Sequence, residues 1–148
     1  MKITWYIPPY NKQTFYNLMS PFFAEKIWRY QFPYLVNTPE KKWCVLIDND
    51  KTIGFSSYMV VKKGIEIGEI YGLTVDAWKK IASSTLKKIA KDEASFHLFT
   101  DVKKVDTYQL QFFRDKGFEI YRETKNFAFL KRNDEWKKKL YENSSPIV

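Results

Sequence analysis

Glu69 has the surroundings that best suit acid–base chemistry. It stands in an extended apolar stretch, EIGEIYGLTV (66–75), where period-two geometry puts Glu69, Tyr71, Leu73 and Val75 on one face. A carboxylate sheltered on such a face can take a proton from a reacting group. The competing reading is a solvent-facing glutamate beside Lys62 or Lys63, and the residues alone leave both open. Glu66 is the alternative carboxylate, nearer the turn and so more exposed. Thiol and metal chemistry find less support. The single cysteine, Cys44, lies in the apolar run WCVLI with no histidine or second cysteine nearby, and reads as a small buried hydrophobe.

The elements that must position Glu69 follow from periodicity. After EIGEIYGLTV comes WKKIASSTLKKIA, in which Trp78, Ile81, Ala82, Thr85, Leu86 and Ile89 recur at three- and four-residue spacing, with Lys80, Lys87, Lys88 and Lys91 on the other faces. FHLFTDV is the next strand, and Thr107 to Lys116 the next helix, with Leu110 and Phe113 inward and Gly117 as a left-handed stop. Strand, crossover helix and strand make a parallel unit, whose ligands sit where the strand's carboxyl end meets the helix's amino end. Here that place is Val75 to Ser84. The helical phase begins at Trp78, so Asp76 becomes a natural N-cap whose carboxylate would repel an anion. A helix capped later, by Ser83 or Ser84, would free a loop instead.

Upstream, Lys2 to Ile7 reads as an opening strand stopped by Pro8-Pro9. Asn11 or Thr14 can cap a helix carrying Phe15, Leu18 and Met19, and Ser20-Pro21 starts a second helix reaching about Tyr30. Phe22, Trp28, Phe32 and Tyr34 make this the most aromatic region; Trp28, Tyr34 and Tyr71 could line an acceptor pocket, although core packing of two short helices accounts for the density more simply. Lys42 to Asp48, the turn Asp48-Asn49-Asp50-Lys51, Thr52 to Val61, and Ile65 to Val75 after Lys62-Lys63-Gly64 make a three-stranded meander. Phe118 to Arg122 and Asn126 to Lys131 close the chain as a strand pair. Residues 1–132 form one domain, and 133–148 a basic tail with room for one short helix.

A chain of 148 residues, 45% apolar and 18% aromatic, can bury a core as one domain. No run of eighteen apolar residues appears, and Met1 to Tyr10 is too short and polar for a secretory signal, so a cytoplasmic protein with no membrane partner is expected, as monomer or homodimer. The net charge of +8 suits nucleic acid, an acidic surface or an anionic cofactor and does not choose among them. The lysines fall on helix faces and in the tail, where solvation alone explains them.

The order β-α-α-β-β-β-α-β-α-β-β, an α+β fold on a mixed sheet, resembles the GNAT superfamily of acyl-CoA-dependent N-acetyltransferases across Lys2 to Arg132. YQLQFFRDKGF (108–118) is similar to that family's closing helix with its aromatic pair and Gly-Phe, and Ile53-Gly54-Phe55 looks like its third strand.

The resemblance implies acetyl-CoA as co-substrate and an amine, on a small molecule or a protein, as acceptor. It implies Glu69 as general base, acting directly or through water, and a pocket formed by Leu73, Thr74 and Val75 with the loop that follows. That loop is Arg/Gln-x-x-Gly-x-Gly in the family, where glycine lets backbone amides approach a pyrophosphate. Here the place holds Trp78, Lys79, Lys80, Ile81, Ala82 and Ser83, with neither glycine, and Ser84 follows as a further candidate contact. Lys79 and Lys80 supply charge, and Ala82 and Ser83 are small. The family's leaving-group tyrosine is replaced by Phe113, leaving Tyr108 or Tyr121 as stand-ins, and Asp106 stands where a cofactor-contacting asparagine is common. Two functions follow: an N-acyltransferase, favoured by Glu69, or a binding protein that keeps the fold and contacts nucleic acid or an acidic protein through its basic surface, favoured by the missing glycines. A nucleobase-stacking role for the aromatics near Trp28 and Tyr34 belongs with the second.

Overall fold

A computed structural model describes residues 1–24, 37–93 and 97–134. Seven strands, β1 (Lys2–Tyr6), β2 (Lys42–Asp48), β3 (Lys51–Val61), β4 (Gly64–Gly72), β5 (His97–Lys103), β6 (Glu119–Glu123) and β7 (Phe127–Asn133), form a mixed sheet in the order β1-β2-β3-β4-β5-β7-β6. Three helices accompany them among the described residues: α1 (Lys12–Ala24), α2 (Val75–Asp92) and α3 (Thr107–Asp115). The chain forms two compact units, Met1–Met59 with Gly68–Asp92, and Val60–Ile67 with Glu93–Val148, so β3 and β4 each run through both.

In the first unit β1 and β3 flank β2 antiparallel. The β2–β3 hairpin turns on Asn49 and Asp50, both with left-handed backbone (φ 49° and 61°), a conformation Asn and Asp tolerate. Helices cover both faces. On one, Phe15, Met19 and Phe22 of α1 recur at four- and three-residue spacing and bury against Trp43, Val45 and Phe55, with Tyr71 packed beside them. On the other, Ala77 and Ile81 of α2 meet Cys44 and Leu46. This double cover explains why Trp43, Cys44, Val45 and Leu46 are apolar without alternation and wholly buried.

The helix expected to begin at Ser20-Pro21 does not: α1 runs through Pro21 to Ala24, with Asn11 as its cap through a 3.2 Å bond from the Thr14 amide to Oδ1. An interior proline costs a helix about 3 kcal/mol. Burying Phe22 contributes about 1.5–3 kcal/mol, and its ring contacts with Phe55 (5.0 Å) and Tyr71 (5.6 Å) roughly 0.5–1.5 kcal/mol each, enough to hold the turn. Trp28, Tyr34 and the rest of the expected second helix lie outside the described residues.

In the second unit β4 runs parallel to β5 over three pairs, Ile65↔Leu98, Glu66↔Phe99 and Ile67↔Thr100, while β5–β7 and β7–β6 are antiparallel. Beyond Asp115 and its cap Lys116, α3 is stopped by Gly117, whose φ of 89° suits only glycine comfortably; the Phe118 amide returns to the Phe113 carbonyl at 3.0 Å and the two rings pack at 5.1 Å. Leu98, Val102, Ala128 and Leu130 bury the core of this unit.

Candidate active site around Glu69

β4 bends at Glu69. Its φ of 40° lies in the left-handed region, a strained conformation for a residue with a side chain. One oxygen of its carboxylate, Oε2, accepts a 2.8 Å hydrogen bond from the Ser57 hydroxyl and faces the Lys41 ammonium at 3.4 Å. Both side chains of that ion pair are largely buried, at 11% and 16% exposure, so the pair is shielded from the solvent that makes surface ion pairs weak. The expected neighbours, Lys62 and Lys63, are not its partners; Lys63 pairs with Glu66 instead, on an exposed surface.

The first unit supplies every group here. Ser57 lies opposite Trp43 in the β2–β3 ladder, and Lys41 enters just before β2, its ammonium 5.4 Å from the centre of the Trp43 ring. Tyr71 sits two residues beyond Glu69 and stacks at 5.3 Å on Phe55; burial pushes its phenol up, so the hydroxyl stays neutral. Lys41 and Ser57 escaped the reading of the sequence. No local pattern marks a lysine or serine whose partner lies 28 or 12 positions away, and only strand register brings them to Glu69. Asn37 is a third such residue: its Oδ1 takes a 2.9 Å bond from the Trp43 indole, and its amide nitrogen donates to Tyr10 and Tyr16, each at 2.9 Å.

The junction after β4 differs from expectation. β4 stops at Gly72 rather than Val75, and α2 starts at Val75 rather than Trp78. Thr74, not Asp76, is the cap: its hydroxyl accepts from the Ala77 amide at 3.1 Å and its carbonyl from the Trp78 amide at 3.0 Å. Asp76 is a first-turn acid. The cause is Gly72, which lets the Trp78 backbone lie directly against it. Leu73 and Val75 are consequently exposed, 65% and 46%, and off any strand face shared with Glu69 and Tyr71; the Leu73 amide is taken by the Ile53 carbonyl at 2.8 Å.

Ile81 and Ala82 are wholly buried in α2, at the place the family resemblance gives to a glycine-rich loop, while Lys79 and Lys80 are exposed and Ser83 and Ser84 half-buried. Helix geometry leaves the Val75 and Asp76 amides without intrahelical acceptors. With two lysines against one aspartate, this end fits a phosphate, though with fewer amides than a glycine-rich loop would aim at it. In the second unit, Asp106 precedes α3 without a side-chain cap, the Tyr108 oxygen accepts from Gln109 at 3.0 Å, and Phe113 is buried. No group of three or more metal-ligating side chains occurs among the described residues, and no helix among them is long and apolar enough to cross a membrane.

No family model and no curated protein matches the sequence. Solved structures do. The Campylobacter jejuni N-acetyltransferase PseH, in complex with acetyl coenzyme A, superposes with a TM-score of 0.58 at 17% identity, over 89% of this chain and 99% of that one. The chain has the GNAT fold. Escherichia coli ElaA matches with a TM-score of 0.64 at 14% identity, over 89% and 100% of the two chains. An acyl-CoA N-acyltransferase from Pseudomonas aeruginosa gives 0.65 at 9%, over 88% and 99%. At such identities a shared GNAT fold says nothing residue by residue, and the Glu69 site stands on its own geometry.

Proposed function

We propose that the protein is an N-acyltransferase that moves an acetyl group from acetyl-CoA to an amine, with Glu69 as general base. The observation that carries this reading is the one-sided engagement of the carboxylate. Ser57 and Lys41 both hold Oε2, while Oε1 has no hydrogen-bond partner among the described residues. A carboxylate so oriented keeps one oxygen for a proton. Acetyl-CoA, when bound, supplies the acyl carbon as a thioester. Glu69 Oε1 would take the proton that the amine gives up as its nitrogen bonds to that carbon, while the carbon–sulfur bond breaks and CoA leaves as a thiolate that takes a proton from solvent. The amino end of α2, with its Val75 and Asp76 amides and Lys79 and Lys80, holds phosphate. The backbone kink at Glu69 fits this role, since strain concentrates where geometry serves chemistry.

A second reading, a binding protein that retains the fold, is favoured by the buried Ile81 and Ala82 where amides would otherwise cradle a pyrophosphate. Titration calorimetry with acetyl-CoA separates the two. Heat of binding, followed by thiol release in the presence of amines, supports the transferase; no heat at high concentration removes it. A mobility shift of nucleic acid at low salt would then support the second reading.

A further inference from the structure

We propose that Asn37 is a positioning residue for Glu69, acting through Trp43 and Lys41; the proposal rests on the reading of Glu69 as base. The Trp43 indole N–H can only donate, so its 2.9 Å bond fixes which end of the Asn37 amide is the oxygen. The nitrogen end then donates to both tyrosine hydroxyls, Tyr10 and Tyr16, at 2.9 Å. One side chain thereby ties the β1–α1 connection, helix α1 and strand β2 together. Such a hub is rigid because each of its bonds opposes rotation of the amide.

The hub determines where the Trp43 ring lies, and that ring is wholly buried, with no room to settle elsewhere. Lys41 rests its ammonium over the same ring, 5.4 Å from the centroid, and reaches Glu69 Oε2 at 3.4 Å. A cation held by an aromatic face on one side and a carboxylate on the other moves when either support moves. Glu69 has its backbone fixed by the kink and its Oε2 fixed by Ser57 and Lys41, so the direction of Oε1 depends on both anchors. Asn37 touches neither Glu69 nor Lys41 in any bond described above. Its effect is on aim.

The experiment uses the full chain, acetyl-CoA, and the best acceptor from a panel of amines. Asn37→Ala is expected to lower kcat about ten- to a hundredfold while leaving KM for acetyl-CoA unchanged, the pattern of a misplaced reacting group. Trp43→Phe keeps an aromatic ring at this position but removes the donor along with part of the indole's bulk; it should lower kcat at least as much, and the double variant should be no slower than the slower single one. Unchanged kcat in Asn37→Ala, or costs that multiply in the double variant, overturns the proposal. A second readout does not need turnover: the 15N resonance of the Lys41 ammonium should move in Asn37→Ala and in Trp43→Phe. An unmoved resonance sinks the positioning role even where the wild type proves active. A moved resonance in a protein that transfers no acetyl group leaves the chain of contacts standing and removes Glu69 as base.

Discussion

Gly72 lies directly beneath the backbone of Trp78, whose amide nitrogen and Cα fill the space where a side chain at position 72 would begin. The tight turn from β4 into α2 depends on that approach. Gly72→Ala must push the first turn of α2 off the sheet, and overpacking of this kind costs about 1–3 kcal/mol. Urea denaturation should show the loss, and a variant as stable as the wild type would mean that the junction is looser than described.

Replacing Glu69 with glutamine keeps size and shape but removes the proton acceptor. Turnover is expected to fall roughly 10²- to 10⁴-fold, with acetyl-CoA affinity by calorimetry unchanged. Comparable turnover in Glu69→Gln would transfer the role of base to another group.

At the start of α2, Thr74 and Asp76 should separate. Thr74→Ala removes the cap and costs stability, about 1 kcal/mol, whereas Thr74→Ser should cost little. Asp76→Ala removes a negative charge from the end that would meet phosphate, and should tighten acetyl-CoA binding by roughly three- to tenfold. Weaker binding on removing Asp76 would place the phosphates elsewhere.

Cys44 gives a pH dependence with a definite sign. Burial pushes its thiol up from 9.0 to about 12. Between those values the unfolded chain releases a proton that the folded chain retains, so this contribution to stability is intact below pH 9 and declines as pH rises towards 12. Cys44→Ala should flatten that alkaline decline. A thiol reagent at pH 8 should leave native Cys44 unmodified until the protein unfolds, and rapid labelling would contradict its burial.

The architecture was legible because its signals are local. The 3.6-residue period of α2, the Asn49-Asp50 turn and the Gly117 stop each depend on a few adjacent residues, and each is found where expected. The errors share a different origin. Pro21 looks like a helix start, yet Phe22 is held by Phe55 and Tyr71 from distant strands, which local chemistry does not reveal. Asp76 is a good cap by composition, but the room left by Gly72 brings the helix start forward to Thr74 and gives the cap to it. At the candidate site Glu69 could be singled out as a carboxylate in an apolar strand. Its partners Lys41 and Ser57 could not, because strand register rather than spacing brings them to it.

The proline inside α1 has a consequence for how helix and strand depend on each other. A helix that must carry Pro21 cannot close its last turn on intrinsic propensity, and the aromatic partners that compensate lie as far along as Tyr71. The last turn of α1 and the strand β4 are therefore coupled: Phe22 can settle only where Tyr71 is already in place to receive it.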